Sequence, residues 1–369
     1  MKKVLFVLHL PPPIHGVSQV NTIIKNSKII NNNLDCTYMN IATANDISDL
    51  GTQRLGKYLH IIKLIFLFLK KIIFNKYDVI YITPSIPGIG FYKDSIFVLI
   101  GKLFRKKIIC HLHVQGFKEA TKSSLKKKYY TFVLSNISIV HLSESLYKDI
   151  SDIVKKEKVY FVANGVIPVE KSELISNKNI DRFEILFLSN MIEFKGPYLL
   201  LEAINDLIIK YGKSKNIHVN FIGKWQDDKF KEKFLLYIQK NNLDDYVSIL
   251  GGIYGNDKNK YFSEAQVFIL PTNFEAFPLV LLEAMEFSLP VISTEEGAIP
   301  DIIDNGKTGF VIEKNNKEQL IKKIDTLLNN ENLCKEFGKL GRNKFILNYT
   351  ADIMEKNIYE TIMKVIINE

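Results

Sequence analysis

In the apolar stretch FEAFPLVLLEA, residues 274–284, two glutamates, Glu275 and Glu283, stand eight positions apart with one proline between them. A β-branched run, VFIL, ends at Leu270, PTNFEAF reads as a loop, and Pro278 fits the first position of a helix through PLVLLEAMEF. Glu275 is then a loop acid at the carboxyl end of a strand, and Glu283 lies inside the helix. At such a helix start the amides of Phe277, Leu279 and Val280 are free, and free amides together with the helix dipole favour a phosphate. Two acids on either side of that start could hold hydroxyls flanking a diphosphate, because a carboxylate accepts paired, charge-assisted bonds from adjacent hydroxyls. The bland alternative makes Glu275 a first-turn acid favoured by the dipole and Glu283 a surface residue.

Other residues invite chemistry more weakly. IICHLHVQGF, residues 108–117, ends a strand with His111 and His113 on one face. Two such histidines could be zinc ligands, but no third ligand stands nearby in sequence, and a strand-end histidine is as well explained by a structural hydrogen bond. HLPPPIHGVSQVN, residues 9–21, joins a strand to a helix without a Gly-x-Gly-x-x-Gly pattern, which argues against a dinucleotide oxidoreductase. No Asp-x-Asp occurs, and no catalytic metal is expected.

The elements that must position these residues alternate throughout. Strand candidates are Lys3–Leu8, Asp35–Asn40, Val79–Thr83, Lys107–Leu112, Ser138–His141 and Val159–Val162, then Phe183–Leu188, His218–Ile222, Val247–Leu250, Val267–Leu270, Pro290–Ser293 and Gly309–Ile312. Helical patterns fill the gaps, and the chain ends in helices near 317–329, 331–347 and 351–367. This is an α/β protein with parallel sheets covered on both faces. It reads as two Rossmann-like domains facing across a cleft, with ligands expected at the carboxyl ends of strands. The boundaries predicted are 1–170 and 171–350, with the helix at 351–369 joined to the first domain. The linker is read in ANGVIPVEKSELISNKNIDR, residues 163–182.

The 369 residues suit two domains, and 47% hydrophobic with 24% charged residues is a globular balance that argues against disorder. The net charge of +9 is uneven. Residues 1–170 hold 24 Lys+Arg against 11 Asp+Glu, or +13, whereas 171–369 hold 25 against 29, or −4. A basic first half suits a polyanionic partner such as anionic lipid or nucleic acid, although a lysine-rich compositional bias would look the same. Cys36, Cys110 and Cys334 show no metal or disulfide spacing, which suits a reduced cytoplasmic setting. The first residues, MKKVLFVLHLPPP, lack a cleavage site and read as a strand. The run IIKLIFLFLKKIIF, residues 61–74, is interrupted by lysines and is too short to span a membrane.

With these motifs in place, the sequence resembles the retaining glycosyltransferases of the GT-B fold, the group 1 family that uses nucleotide sugars. The resemblance is strongest over 183–312. It rests on Glu275-x7-Glu283, on the continuation LPVISTEEGAIPDIIDNGKTGFVI at 289–312, and on Lys195-Gly196 in FKGP. It implies that Glu275 contacts hydroxyls of the donor sugar, Glu283 the nucleotide ribose, and Lys195 the donor phosphate. It further implies that Gly16, in the His15-Gly16 pair, lets backbone approach the phosphates, and that His113 contacts the donor sugar. Asn164, in FVANGVIP, falls at the cleft floor, and Gly223, in FIGKW, near the base. One position departs from the family: Asn190 stands where an arginine usually binds phosphate, and an amide supplies no charge.

The activity so implied moves a sugar from a UDP-, GDP- or ADP-sugar, with retention and by front-face substitution, to a glycan or lipid-linked acceptor during cell-surface polysaccharide synthesis such as capsule or O-antigen. The donor is a substrate, and no cofactor is expected. KEATKSSLKKKYY, residues 118–130, and residues 57–76 are basic with apolar or aromatic content and could rest on an anionic membrane at its inner face, with no nucleic acid partner. The alternatives are a nucleotide-sugar epimerase or sugar phosphorylase of the same fold, and a carbohydrate-binding or scaffold protein without catalysis.

Overall fold

The computed structural model describes residues 1–12, 15–42, 55–174, 182–212 and 216–368. Residues 13 and 14 of the proline-rich loop and 175–181 of the stretch read as a linker lie outside the described residues. The chain divides into two compact units, Met1–Ile167 with Thr350–Glu369, and Pro168–Tyr349.

The strands of the first unit are β1 (Lys2–Leu8), β2 (Leu34–Asn40), β3 (Val79–Ile82), β4 (Ile108–Leu112), β5 (Ser138–His141) and β6 (Val159–Phe161). Its helices are α1 (Gly16–Asn26), α2 (Lys28–Asn33), α3 (Leu55–Phe74), α4 (Ile89–Leu103), α5 (Phe117–Ala120), α6 (Ser124–Leu134) and, from the far end of the chain, α14 (Ala351–Asn368). The second unit holds β7 (Phe183–Leu188), β8 (Ile217–Ile222), β9 (Val247–Ile249), β10 (Val267–Leu270), β11 (Val291–Thr294) and β12 (Gly309–Ile312). Between and after them run α7 (Pro197–Tyr211), α8 (Asp228–Lys240), α9 (Asn259–Glu264), α10 (Leu279–Glu286), α11 (Ile299–Ile302), α12 (Lys317–Leu328) and α13 (Glu331–Asn348). Every strand predicted from the β-branched runs is present with ends displaced by at most one residue.

All strand pairs are parallel. The first sheet runs β2-β1-β3-β4-β5-β6 and the second β12-β11-β10-β7-β8-β9. The second order is that of the doubly wound dinucleotide fold, whereas the first has only one strand beyond β1 on that side. In both sheets the direction of winding reverses at one pair of neighbours, β1 and β3 in the first and β7 and β10 in the second. Loops leaving such a pair diverge to opposite faces, which opens a crevice at the carboxyl ends.

Burial on both faces explains the nearly unbroken apolar runs. Residues 4–8 of β1 and all of β10 are buried. On one face of the first sheet Leu64, Phe68 and Ile72 of α3, Phe97 and Val98 of α4, and Val133 and Leu134 of α6 enter a common core with the strands. Helix α14 packs against α1 and α2. It is fixed there by Ser27 Oγ donating to Glu355 at 2.6 Å and by Lys107 Nζ donating to the Ile366 carbonyl at 2.8 Å. The chain passes between the units at Val166 and Thr350, which lie side by side in a parallel bridge.

Candidate functional site

In the second unit the loops that leave the reversal pair carry the predicted acids and cation. After β7 a single 3-10 turn, Glu193–Lys195, leads through Gly196 into α7. Gly196 takes φ +79, and a Cβ there would stand 2.1 Å from the Pro271 carbonyl oxygen, so the Lys195 turn can lie against the loop after β10 only with glycine next to it. That loop is fixed by its own polar groups. The Asn273 amide donates to the Phe194 carbonyl at 2.7 Å, and Thr294 Oγ1 donates to the Thr272 carbonyl at 2.6 Å. Lys195 Nζ consequently donates to the Glu275 carboxylate and, at 3.4 Å, approaches the Phe274 carbonyl. Both side chains of this ion pair are largely buried.

Helix α10 starts one residue later than the sequence predicts. Pro278 has ψ 113, which is extended, so the proline is the N-cap and Leu279 the first helical residue. The reason is that the Pro278 carbonyl already accepts from Leu281, at 3.2 Å, while the proline backbone itself stays outside the helical region. The amides of Phe277, Leu279 and Val280 make no hydrogen bond among the described residues. The Phe277 side chain is buried edge-on against Tyr349, with ring centroids 6.1 Å apart, so only its backbone can face a ligand. Glu283 is not a free surface acid. Its Oε1 lies 2.7 Å from Lys258 Nζ, while Oε2 is buried without a partner among the described residues.

Asn190 and Gly223 meet at the neighbouring strand ends. A Cβ on Gly223 would sit 1.8 Å from the Ser189 carbonyl oxygen and 3.3 Å from Asn190 Cα, so close backbone approach alone demands this glycine. Lys224 follows, with its carbonyl accepting from the Met191 amide at 2.9 Å. Two features escape a reading of motifs. The exposed rings of Phe194 and Phe274 stand edge to face beside the Lys195–Glu275 pair, with centroids 6.3 Å apart. Lys258, far from either acid in sequence, carries no motif at all. An exposed aromatic residue on each side of a motif was the only signal available for the first, and none existed for the second.

In the first unit the polar residues also gather at carboxyl strand ends. His15 caps α1, its Nδ1 accepting from the Ser18 amide at 3.4 Å, and among the described residues Gly16 has no neighbour that a Cβ would touch within 4 Å, so their packing does not require the glycine. His9 Nε2 and Ser85 Oγ converge on Asp94 at 2.8 and 2.6 Å, tying the loop after β1 to the loop after β3. Burial pushes the Asp94 carboxyl up, but the charges and hydrogen bonds of His9, Lys93 and Ser85 prevail and bring it down to about 2.

The His111 and His113 rings lie side by side, centroids 3.8 Å apart and planes tilted by 38°, as their shared strand face predicts. His111 Nδ1 bonds the Tyr81 hydroxyl, whereas both ring nitrogens of His113 lack a partner within hydrogen-bond geometry among the described residues. Burial lowers the His113 imidazole to about 3, an effect that the adjacent Asn164 side chain opposes and that His141 and His15 reinforce. Gly165, next to Asn164, packs on backbone, since a Cβ there would stand 2.5 Å from the Thr350 carbonyl oxygen. Asn164-Gly165 is thus a crossing point of two chain segments. Among the described residues no group of three or more His, Cys, Asp or Glu could hold a metal ion.

Two parallel six-stranded α/β sheets, the second with acids and lysines gathered where its winding reverses, define a GT-B protein. Solved structures share the fold over the whole chain. A glycosyltransferase from Rickettsia africae superposes with a TM-score of 0.76 at 20% identity, covering 100% of this chain and 99% of its own. HepE of Anabaena, crystallised with UDP, gives 0.76 at 14%, covering 99% and 100%. Residues 168–344, nearly all of the second unit, match the family Glycosyl transferases group 1. Among curated proteins, the capsular polysaccharide biosynthesis glycosyltransferase CapM of Staphylococcus aureus is 26% identical over 301 residues, 76% of this chain and 78% of that one. A glycosyltransferase of Methanocaldococcus jannaschii is 28% identical over 247 residues, 66% of each.

Proposed function

We propose that the protein transfers a sugar from a nucleoside-diphosphate sugar, with retention at the anomeric carbon, to a glycan or lipid-linked acceptor in cell-surface polysaccharide synthesis. The observation that carries this reading is the site around α10. Two acids, Glu275 and Glu283, bracket a helix start with free amides, and each acid is engaged by one lysine. Support comes from the relatives, which include CapM and a poly(ribitol-phosphate) N-acetylglucosaminyltransferase of Staphylococcus aureus, and from HepE, which was crystallised with UDP-glucose.

Departure of the nucleotide breaks the bond between the anomeric carbon and the diphosphate oxygen, placing negative charge on the diphosphate and oxocarbenium character on the sugar. Catalysis is then mainly electrostatic. The donor diphosphate would draw the Lys195 ammonium away from Glu275, and the freed carboxylate would accept hydroxyls of the sugar. The amides of Leu279 and Val280 would share the phosphate charge. The acceptor oxygen bonds to the anomeric carbon on the face the nucleotide leaves, and its proton goes to the departing diphosphate. The scheme assigns no step to a metal or cofactor.

For the acceptor we infer a lipid carrier at an anionic membrane surface. Helix α3 buries Leu64, Phe68 and Ile72 yet exposes Leu59, Ile62, Phe66, Ile73 and Phe74 on its other side, among Lys63, Lys70 and Lys71. Among the described residues no helix is long and apolar enough to cross a membrane, so such a helix would lie in the interface plane.

The test is to incubate the purified protein with UDP-, GDP- and ADP-sugars and measure free nucleoside diphosphate. Release that Glu275→Ala abolishes is expected. Binding of carbohydrate without any release would favour the scaffold reading, and a changed sugar still attached to its nucleotide would favour an epimerase.

A further inference from the structure

Resting on the donor site read above, we propose that Lys258 is a positioning residue for ribose recognition. By holding Glu283 through one carboxylate oxygen it aims the other at a ribose hydroxyl, and so sets a preference for ribonucleotides over deoxyribonucleotides.

The site repeats one device. Lys195 closes the 3-10 turn Glu193–Lys195 and engages Glu275, and Lys258 closes the 3-10 turn Gly255–Lys258 and engages Glu283, its Nζ 2.7 Å from Oε1. Both side chains of the second pair are mostly withdrawn from solvent, 19% and 15% exposed, so the ammonium compensates a charge that water reaches poorly. The lysine is also carried on a rigid support. Its turn continues directly into α9, where Phe262 stacks on Phe287 at the end of α10, with centroids 5.4 Å apart and planes 18° apart. Lysine and acid therefore belong to elements packed against each other.

What the pairing leaves over points to a ligand. Glu283 Oε2 is buried and without a partner among the described residues, and a buried carboxylate oxygen lacking a donor is costly unless something supplies one. A carboxylate oxygen only accepts, so the missing partner is a donor, and a nucleotide offers its ribose hydroxyls. A site built to hydrogen-bond a hydroxyl rejects the analogue that lacks it far more strongly than a merely apolar pocket does.

The test is calorimetric titration of the intact protein with UDP, GDP and ADP, then with the 2′-deoxy counterpart of the tightest binder. Wild type is expected to prefer the ribose form by about tenfold or more. Lys258→Met should reduce that preference to about threefold or less by releasing Glu283, and Lys258→Arg, which keeps the charge, should retain most of it. Lys258→Gln provides a second neutral variant should Lys258→Met unfold. An unchanged ratio in a folded neutral variant, including one in which both ligands weaken equally, overturns the role of Lys258 and leaves the donor-site reading standing. Wild type that binds ribose and deoxyribose forms alike also overturns it. Failure of wild type to bind any of the three diphosphates overturns both.

Discussion

Lys195 and Glu275 were expected to face a ligand, and they are found facing each other. A cation and an acid so paired neutralise each other until an anion competes for the ammonium, so their worth in catalysis must be read from substitution at each end. On the proposed reading Lys195→Met should lower release of nucleoside diphosphate by about a hundredfold or more, since it would remove the cation assigned to the leaving group. Steady-state rates would show this, and a loss confined to KM would place the lysine in binding alone. The histidines of the first unit permit a second prediction. Burial holds His113 at about 3 and His141 at about 4, below their usual 6.5. Between those values and 6.5 the unfolded chain binds protons that the folded chain does not. Stability is therefore fully present above about pH 6.5 and is lost as pH falls towards 4. Thermal unfolding followed from pH 7 to pH 4 should show a falling midpoint, with a shallower fall in His113→Gln. A midpoint independent of pH would mean that these rings are solvated. At this scale the sequence supplied the acids at 275 and 283 through their spacing, but their lysine partners are set by contacts between segments remote in sequence.

At the scale of elements, short β-branched runs made every strand legible, because a strand buried on both faces has few alternatives to Val, Ile, Leu and Phe. The start of α10 was misplaced by one residue, since proline is compatible both with the first helical position and with the extended residue before it, and only ψ separates the two. Strand order was not legible. The site depends on β10 pairing with β7, yet nothing in VFIL or FEILFL specifies that neighbour. The glycine after Lys195 belongs to this scale, because it governs how one loop lies on another. Gly196→Ala would place a Cβ 2.1 Å from a backbone oxygen at a positive φ. We expect a loss of about 1–3 kcal/mol in folding free energy. Denaturant titration measures it, and an unchanged midpoint would show that the loop after β10 yields freely.

For the whole molecule, the basic first half and its lysine-bearing helix predict a surface partner. Vesicles containing phosphatidylglycerol should retain the protein on sedimentation at low salt, more than neutral vesicles do, and Phe66→Ser with Phe74→Ser should reduce that retention severalfold by deleting exposed apolar area. Equal recovery with neutral vesicles, or with the double variant, would remove the membrane from the reading. Composition alone already showed the charge asymmetry. It could not say that α3 is apolar on two sides, because a helix apolar all round in sequence can equally be buried all round. By itself the sequence determined the alternation of strands and helices, the helix start between two acids, and the family likeness, all of which are written in residues close together along the chain. Tertiary structure alone decided which strand ends are neighbours, which lysine holds which acid, and which side of α3 stays uncovered, because hydrogen bonding between parallel strands is much the same for any apolar run and the choice among them is made by the packing of the whole unit.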